Sequence, residues 1–409
     1  MKWIHTTNDY ATSPVPTEAT YTWWSIALVL VGVGVALPAF FLGDIIAKSL
    51  PLSEAIIAIY GGGLIYTAIA LGMALVGFKS KLSTYVIANQ VFGRYGAYVV
   101  SGLIALILTF WFAFNLEVFA ATLHTIISSL PIWLATILGG GVMISTAFIG
   151  FTALRKLSLL SVPLLLIVLA VGLVTAVSEK SLAVVTEPAP LPLFISIVAG
   201  TFMLGAVIMP DIARYARTKT DAVVGTVVGF LIAGPTILLA MTVLSSLTQA
   251  PDFISAFAGL GLGAFGLFTL IFAAWTTNDN NLYSASLALS AVMTRTPKHW
   301  LVVAAGIIAT VVALFGVLTS FVPFVLLLSL TTTPLTGILM VAILLTNTTS
   351  RTPQLDYGAI AAWAAGIVVA LATTAPDALG FGWFTFTTVP AVDSMLTAAL
   401  VYFLSTRLN

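Results

Sequence analysis

Long apolar stretches separated by short polar turns make up nearly the whole chain. Segments such as 159–176 and 300–318 contain no charged residue. A helix needs about 20 apolar residues to cross a hydrocarbon core of about 30 Å, whereas barrel strands are about ten residues long and alternate polar with apolar. The pattern therefore predicts about twelve transmembrane helices, near 21–48, 54–78, 95–125, 132–154, 159–178, 191–213, 222–247, 260–293, 300–318, 321–345, 357–374 and 389–405. The expected fold class is an all-α integral membrane protein, with the lipid bilayer as its solvent. Residues 1–20 are polar, carry Pro14 and Pro16, and lack the basic start and cleavage site of a signal peptide, so they read as a cytoplasmic tail. Trp23 and Trp24 stand at the entry to the first span, where interfacial anchors belong.

Composition agrees. Hydrophobic residues are 60% of the chain and charged residues 7%, against roughly 25% charged in a soluble domain. Fifteen basic residues oppose 14 acidic ones for a formal charge of +1, which leaves no electrostatic footprint for nucleic acid. The basic residues divide unevenly once the N-terminus is placed in the cytoplasm. Thirteen of the 15 then fall inside, and only Lys48 and Lys180 fall outside. The same division favours an even number of spans, with both termini cytoplasmic.

The sequence contains no cysteine and three histidines, His5, His124 and His299. His5 and His299 fall in the tail and an inner loop, and His124 near the outer end of the third span. Neither an HExxH pair nor a GxxxxGK[ST] loop is present. An intramembrane enzyme therefore lacks its chemistry, and ATP does not drive this protein. No cofactor and no obligate protein partner are implied.

Two spans are irregular in matching ways. The first reads VLVGVGVALPAFFLGD and includes Gly32, Gly34, Pro38 and Asp44; the sixth reads VAGTFMLGAVIMPD and includes Gly200, Gly205, Pro210 and Asp211. Each sets glycines before a proline and ends in an aspartate. Lying five spans apart, they enter from opposite sides, as a five-plus-five inverted repeat requires. The expected organisation is a tail (1–20), a first repeat (21–178), a second repeat (191–345) and two further spans (357–405), with broken first and sixth helices. Small residues that merely allow close helix packing are the other reading of these glycines. A passive channel is disfavoured, because two such breaks suggest an enclosed midplane site.

The eighth span carries AAWTTNDNNLYSAS over 273–286. Unpaired polar groups are costly in lipid, so these face partners, a cavity or the interface. Threonine hydroxyls and backbone carbonyls are hard oxygens suited to an alkali cation, and asparagines offer donors and acceptors to a planar heterocycle. Polar glue between helices is the alternative. In the third span, Trp111 and Asn115 share one face at i,i+4, an arrangement for stacking on a flat ring and reading its edge, or for ordinary packing. Glu117 stands in the same span as a proton-coupling group, a salt-bridge partner or a neutral carboxyl. Asp211 is followed by Arg214, as a cytoplasmic gate or an interfacial pair.

WTTNDN at 275–280, followed by the LYSASLAL run, resembles the eighth-span segment of bacterial cytosine permeases, members of the nucleobase–cation symporter family. GTFMLGAVIMPDIARYAR (200–217), LTFWFAFNL (108–116) and FGRYGAY (92–98) add support in the right order. The resemblance implies the amino-acid-transporter type of inverted repeat, alternating access and a bacterial inner membrane. It implies a sodium site with carbonyls of Gly32, Ala36 and Ala273 and hydroxyls of Thr276 and Thr277. It implies a substrate held between Trp111 and Phe202, with Asn278 and Thr201 as polar contacts. Two positions depart from the cytosine permease pattern: Leu108 replaces a glutamine and Leu204 a serine. Asn115 is the candidate replacement amide, and the threonines of LSLTTTPLTG (328–337) add polar groups from the tenth span. The expected activity is sodium-coupled import of a nucleobase-like ring. The alternative is proton-coupled transport of a purine, hydantoin, allantoin or pyrimidine vitamin precursor, with Glu117 or Asp211 titrating.

Overall fold

The computed structural model describes residues 10, 13–34, 37–149, 163–174, 182–258, 264–346, 354–384, 386–387 and 389–408. Among them every regular element is a helix, and an isolated bridge pairs Tyr21 with Ala216. In chain order the helices are α1 (Trp23–Gly34), α2 (Leu37–Ser49), α3 (Leu52–Ser80), α4 (Thr84–Ile126), α5 (Ile132–Ile149) and α6 (Pro163–Val174). There follow α7 (Leu191–Val207), α8 (Pro210–Ala213), α9 (Lys219–Thr226), α10 (Gly234–Thr248), α11 (Phe253–Ala258) and α12 (Ala264–Val292). The last four are α13 (Lys298–Leu314), α14 (Phe321–Met340), α15 (Tyr357–Thr373) and α16 (Pro390–Leu408).

Helices occupy each predicted span. Among the described residues five helices are long and apolar enough to cross a membrane, or six if α1 and α2 form one bent span; α6, α7, α13 and α15 are shorter apolar helices. The Asn/Asp run in α12 lowers its hydropathy, which is why that helix stands outside this count. The third predicted span begins inside the longer α4, which turns sharply at Gly93 (φ 74°, ψ 174°), a conformation suited to glycine.

The two irregular spans break differently. The axes of Trp23–Gly32 and Leu37–Ser49 meet at 61°, and Pro38 sits in the first turn of α2, where its missing N–H costs no helical bond. In the sixth span the helix continues through Gly200 and Gly205 and ends at Val207, so the interruption lies just before Pro210 rather than among the glycines. Those glycines serve contact instead. A Cβ on Gly200 would lie 2.8 Å from the Val325 carbonyl oxygen of α14, and one on Gly205 would lie 3.1 Å from the Phe230 ring. A third irregularity is the π-helical segment Val227–Ala233 before Pro235; there the Tyr66 hydroxyl of α3 donates to the Phe230 carbonyl at 2.7 Å.

The helices pack in two sets. One is α4, α5, α12 and α13, which pack chiefly on one another. The other contains α1 and α2 against α9 and α10, and α3 against α7. α14 lies against α7 and α16, and also touches α4.

Candidate substrate and ion site

Trp111 and Asn115 project from α4 one turn apart, and both are buried. Trp111 meets Phe324 and Phe321 of α14 edge-on, with ring centroids 5.1 and 6.0 Å away. Phe321 in turn lies 5.0 Å from Phe41 of α2. Phe202 of α7 tilts against Tyr66 instead, at 5.2 Å. Among the described residues no ring contact joins Trp111 to Phe202: Phe202 clusters with Tyr66 and Phe230, whereas the Trp111 cluster runs through Phe114 and Phe321 to Phe41 of α2. α14 connects these regions, since Gly200 abuts Val325, next to Phe324. Leu108 and Leu204 are both buried.

The amides are held from one side. Asn115 donates through Nδ2 to the Trp111 carbonyl at 2.7 Å. Asn278 donates through Nδ2 to the Phe112 carbonyl of α4 at 3.0 Å, and approaches Met143 Sδ of α5 at 3.2 Å. Each leaves a buried Oδ1 with no hydrogen-bond donor. Thr201 turns its hydroxyl to the Ile197 carbonyl of its own helix, at 2.8 Å. The α14 threonines do likewise: Thr332 bonds Leu328, Thr333 bonds Ser329, and Thr336 bonds Thr333. Such back-bonding satisfies hydroxyls around Pro334 without a partner helix.

On α12 the Thr276 hydroxyl lies 3.1 Å from the Ala273 carbonyl and 3.0 Å from that of Phe272. Thr277 follows, half-buried. These neutral hard oxygens fit an alkali cation, and α12 packs against α2 of the broken first span. Gly32 lies in the last turn of α1, and Ala36 lies outside the described residues. α1 ends at the break, so its last carbonyls and the negative end of its dipole lie there, the polarity a cation requires. Among the described residues no group of three or more His, Asp or Glu stands together to hold a metal ion.

The two carboxylates considered for proton coupling both cap backbone. Glu117 Oε2 accepts the N–H groups of Val317 (2.5 Å) and Leu318 (3.0 Å), at the turn leading into α14. Asp211 Oδ1 accepts the Thr84 N–H at 2.7 Å, where α4 begins, while Arg214 donates to the Asp211 backbone carbonyl at 3.2 Å and to that of Tyr10 at 2.8 Å. Asp44 is buried, pairs with Lys48 at 2.7 Å and accepts the Ser245 hydroxyl. Lys81, in the turn between α3 and α4, donates to the Ala216 carbonyl at 2.7 Å, and its partial burial lowers its pKa.

Sequence reasoning missed two features. One is the aromatic wall of Phe321 and Phe324, whose i,i+3 spacing in the tenth span was the available signal. The other is a polar link from α12 to α5: Thr146 donates to Asp279 Oδ1 at 2.7 Å and accepts the Trp275 indole N–H at 3.0 Å. No local pattern around Thr146 announces it.

Comparison with known proteins accords with this architecture. Residues 14–402 match the family described as permease for cytosine/purines, uracil, thiamine, allantoin. The cytosine permeases of Escherichia coli O157:H7 and of Escherichia coli strain K12 are each 25% identical over 372 residues, covering 88% of either chain. Among solved structures, Mhp1, a nucleobase-cation-symport-1 family transporter, in a closed conformation with bromovinylhydantoin bound, superposes with a TM-score of 0.79 at 18% identity. That match covers 97% of this chain and 95% of Mhp1. A Na+-coupled sialic acid symporter in a substrate-bound outward-open state gives 0.69 at 13% identity, over 99% and 93% of the two chains. The helical fold is that of these transporters, the protein is a multi-pass membrane transporter and not an enzyme, and the chain belongs to the family of permeases for cytosine/purines, uracil, thiamine and allantoin.

Proposed function

We propose that this chain is a secondary symporter that imports a nucleobase or related small heterocycle by alternating access, coupled to sodium. It resides in a bacterial inner membrane with both termini cytoplasmic, and its spans form two inverted repeats, 21–178 and 191–345. The observation that carries the coupling is the pair of hard oxygens on α12, the Ala273 carbonyl and the Thr276 hydroxyl, 3.1 Å apart on a helix packed against the broken first span. Gly32 and Ala36 complete the carbonyl set and Thr277 the hydroxyls. The capping roles of Glu117 and Asp211 support sodium over protons at these two positions, because Glu117 accepts two backbone N–H groups and Asp211 one.

The ligands divide between the two helix sets. Trp111, Asn115, Asn278, Ala273, Thr276 and Thr277 stand on α4 and α12, whereas Gly32, Thr201 and Phe202 stand on α1 and α7. An ion and a ring bound between them favour closure of one set on the other, so the two ligands reinforce each other through a shared conformation. Thr277→Ala removes one hydroxyl ligand with little change in shape. Sodium titrations and sodium-dependent substrate binding should both weaken at least tenfold in the folded variant. Unaltered sodium dependence would remove Thr277 from the site.

A further inference from the structure

The segment that follows α15 folds back onto the end of that helix. The N–H groups of Gly380, Phe381, Gly382 and Trp383 donate to the carbonyls of Ala375, Leu371, Thr374 and Ala372, in that order, at 2.8–3.0 Å. Leu371, Ala372 and Thr374 end the helix, where carbonyls otherwise lack partners. Further on, the Thr387 N–H and hydroxyl both donate to Asp393 Oδ1 in the first turn of α16, at 2.9 and 2.7 Å. The loop backbone is thus pinned to both helices, while its rings turn outward. Phe381, Trp383, Phe384 and Phe386 are all exposed, Trp383 at 70% and Phe386 at 73%. Phe381 stacks on Trp383 with ring centroids 4.9 Å apart, and Phe384 meets Phe386 edge-on at 5.1 Å. No charged residue lies between Asp377 and Asp393.

An exposed apolar patch of this kind marks a contact surface, and two observations say what covers it. Backbone can leave water only where its polar groups are bonded within the protein, and four consecutive N–H groups of this loop are so bonded. The loop is also continuous with the lipid-facing surface of the transporter. Trp383 bonds Ala372, one helical turn beyond the exposed Val368 of α15, and α16 leaves Leu396, Leu400 and Leu404 exposed at i,i+4 spacing. We propose that residues 381–386 are a membrane-boundary anchor, their rings seated among the lipid headgroups and upper acyl chains beside α15 and α16. Aromatic rings suit this layer, and the indole of Trp383 adds an N–H for its hydrated side. Lacking a cation, the anchor does not select anionic lipid. It is independent of which ring the protein transports and of the coupling ion.

Because the chain has no cysteine, Phe381→Cys, Trp383→Cys and Phe386→Cys each accept one spin label on the full-length protein in phosphatidylcholine vesicles. Glu187→Cys, exposed in the loop before α7, and Leu400→Cys, on the exposed stripe of α16, supply the water and lipid references. The loop labels should collide with oxygen, which concentrates in the bilayer, relatively more often than with a water-soluble nickel complex. Their ratios should fall between the two references and stay unchanged when phosphatidylglycerol is added. Native Trp383 gives a check with every ring in place. The fluorescence lost in Trp383→Phe should be quenched by phosphatidylcholine brominated near the headgroup end of its chains and spared by aqueous iodide. Nickel access equal to that of the Glu187→Cys label, or quenching by iodide and not by brominated lipid, would put the loop in water and overturn the anchor. Labels shielded from both agents and broadened by spin–spin contact between molecules would assign the surface to a second copy of this chain, which also overturns it. A ratio that shifts with phosphatidylglycerol would overturn the neutral-lipid assignment.

Discussion

Glu117 shows how a charged residue is kept inside an apolar helix. Its carboxylate accepts two consecutive backbone N–H groups, those of Val317 and Leu318, which a helix start otherwise leaves without partners. A charge-assisted hydrogen bond contributes roughly 1.5–3 kcal/mol, so Glu117→Ala should lower the thermal melting temperature clearly. Glu117→Gln keeps a carbonyl acceptor and should fall between wild type and the alanine variant. Neither should change which gradient drives uptake. A loss of coupling in Glu117→Gln at normal stability would make this residue a proton carrier instead. The asparagines teach a related point. Their residue type was legible in the sequence, but the partner of Asn278 was not, because its bond to the Phe112 carbonyl crosses between helices that no periodicity relates.

At the scale of elements, the positions of the spans could be read directly because apolar runs of membrane length have few other physical explanations. The irregularities were read less accurately. Matching Gly–Pro patterns pointed to two broken helices, and both are broken, yet in α7 the glycines provide close contact and the interruption comes before Pro210. Glycine permits unwinding and close approach equally, and only a neighbouring backbone decides between them. Two substitutions separate these roles. Gly200→Ala places a Cβ 2.8 Å from the Val325 carbonyl oxygen, so α7 and α14 must separate, at a cost of about 1–3 kcal/mol. Gly32→Ala meets nothing within 4 Å, and its proposed contribution to sodium is a carbonyl that alanine retains. Melting curves with and without sodium should show Gly200→Ala destabilised and Gly32→Ala stable with its sodium response intact. Equal melting temperatures for the two would contradict the packing role of Gly200.

Across the whole molecule, α4, α5, α12 and α13 form one packed set, and the broken first span, α3, α7, α9 and α10 form another. The proposed ion and substrate ligands are shared between the two sets, which is the arrangement that lets occupancy bias their relative position. Sodium coupling of ring transport is the central claim, and flux in sealed vesicles tests it most directly. Purified protein in proteoliposomes would be given radiolabelled cytosine, or another heterocycle that raises its melting temperature in sodium, under an inward sodium gradient or an inward proton gradient alone. The account predicts accumulation above equilibrium with the sodium gradient, its loss when sodium is equal on both sides, and none with protons alone in sodium-free buffer. Accumulation driven by the proton gradient without sodium would contradict it.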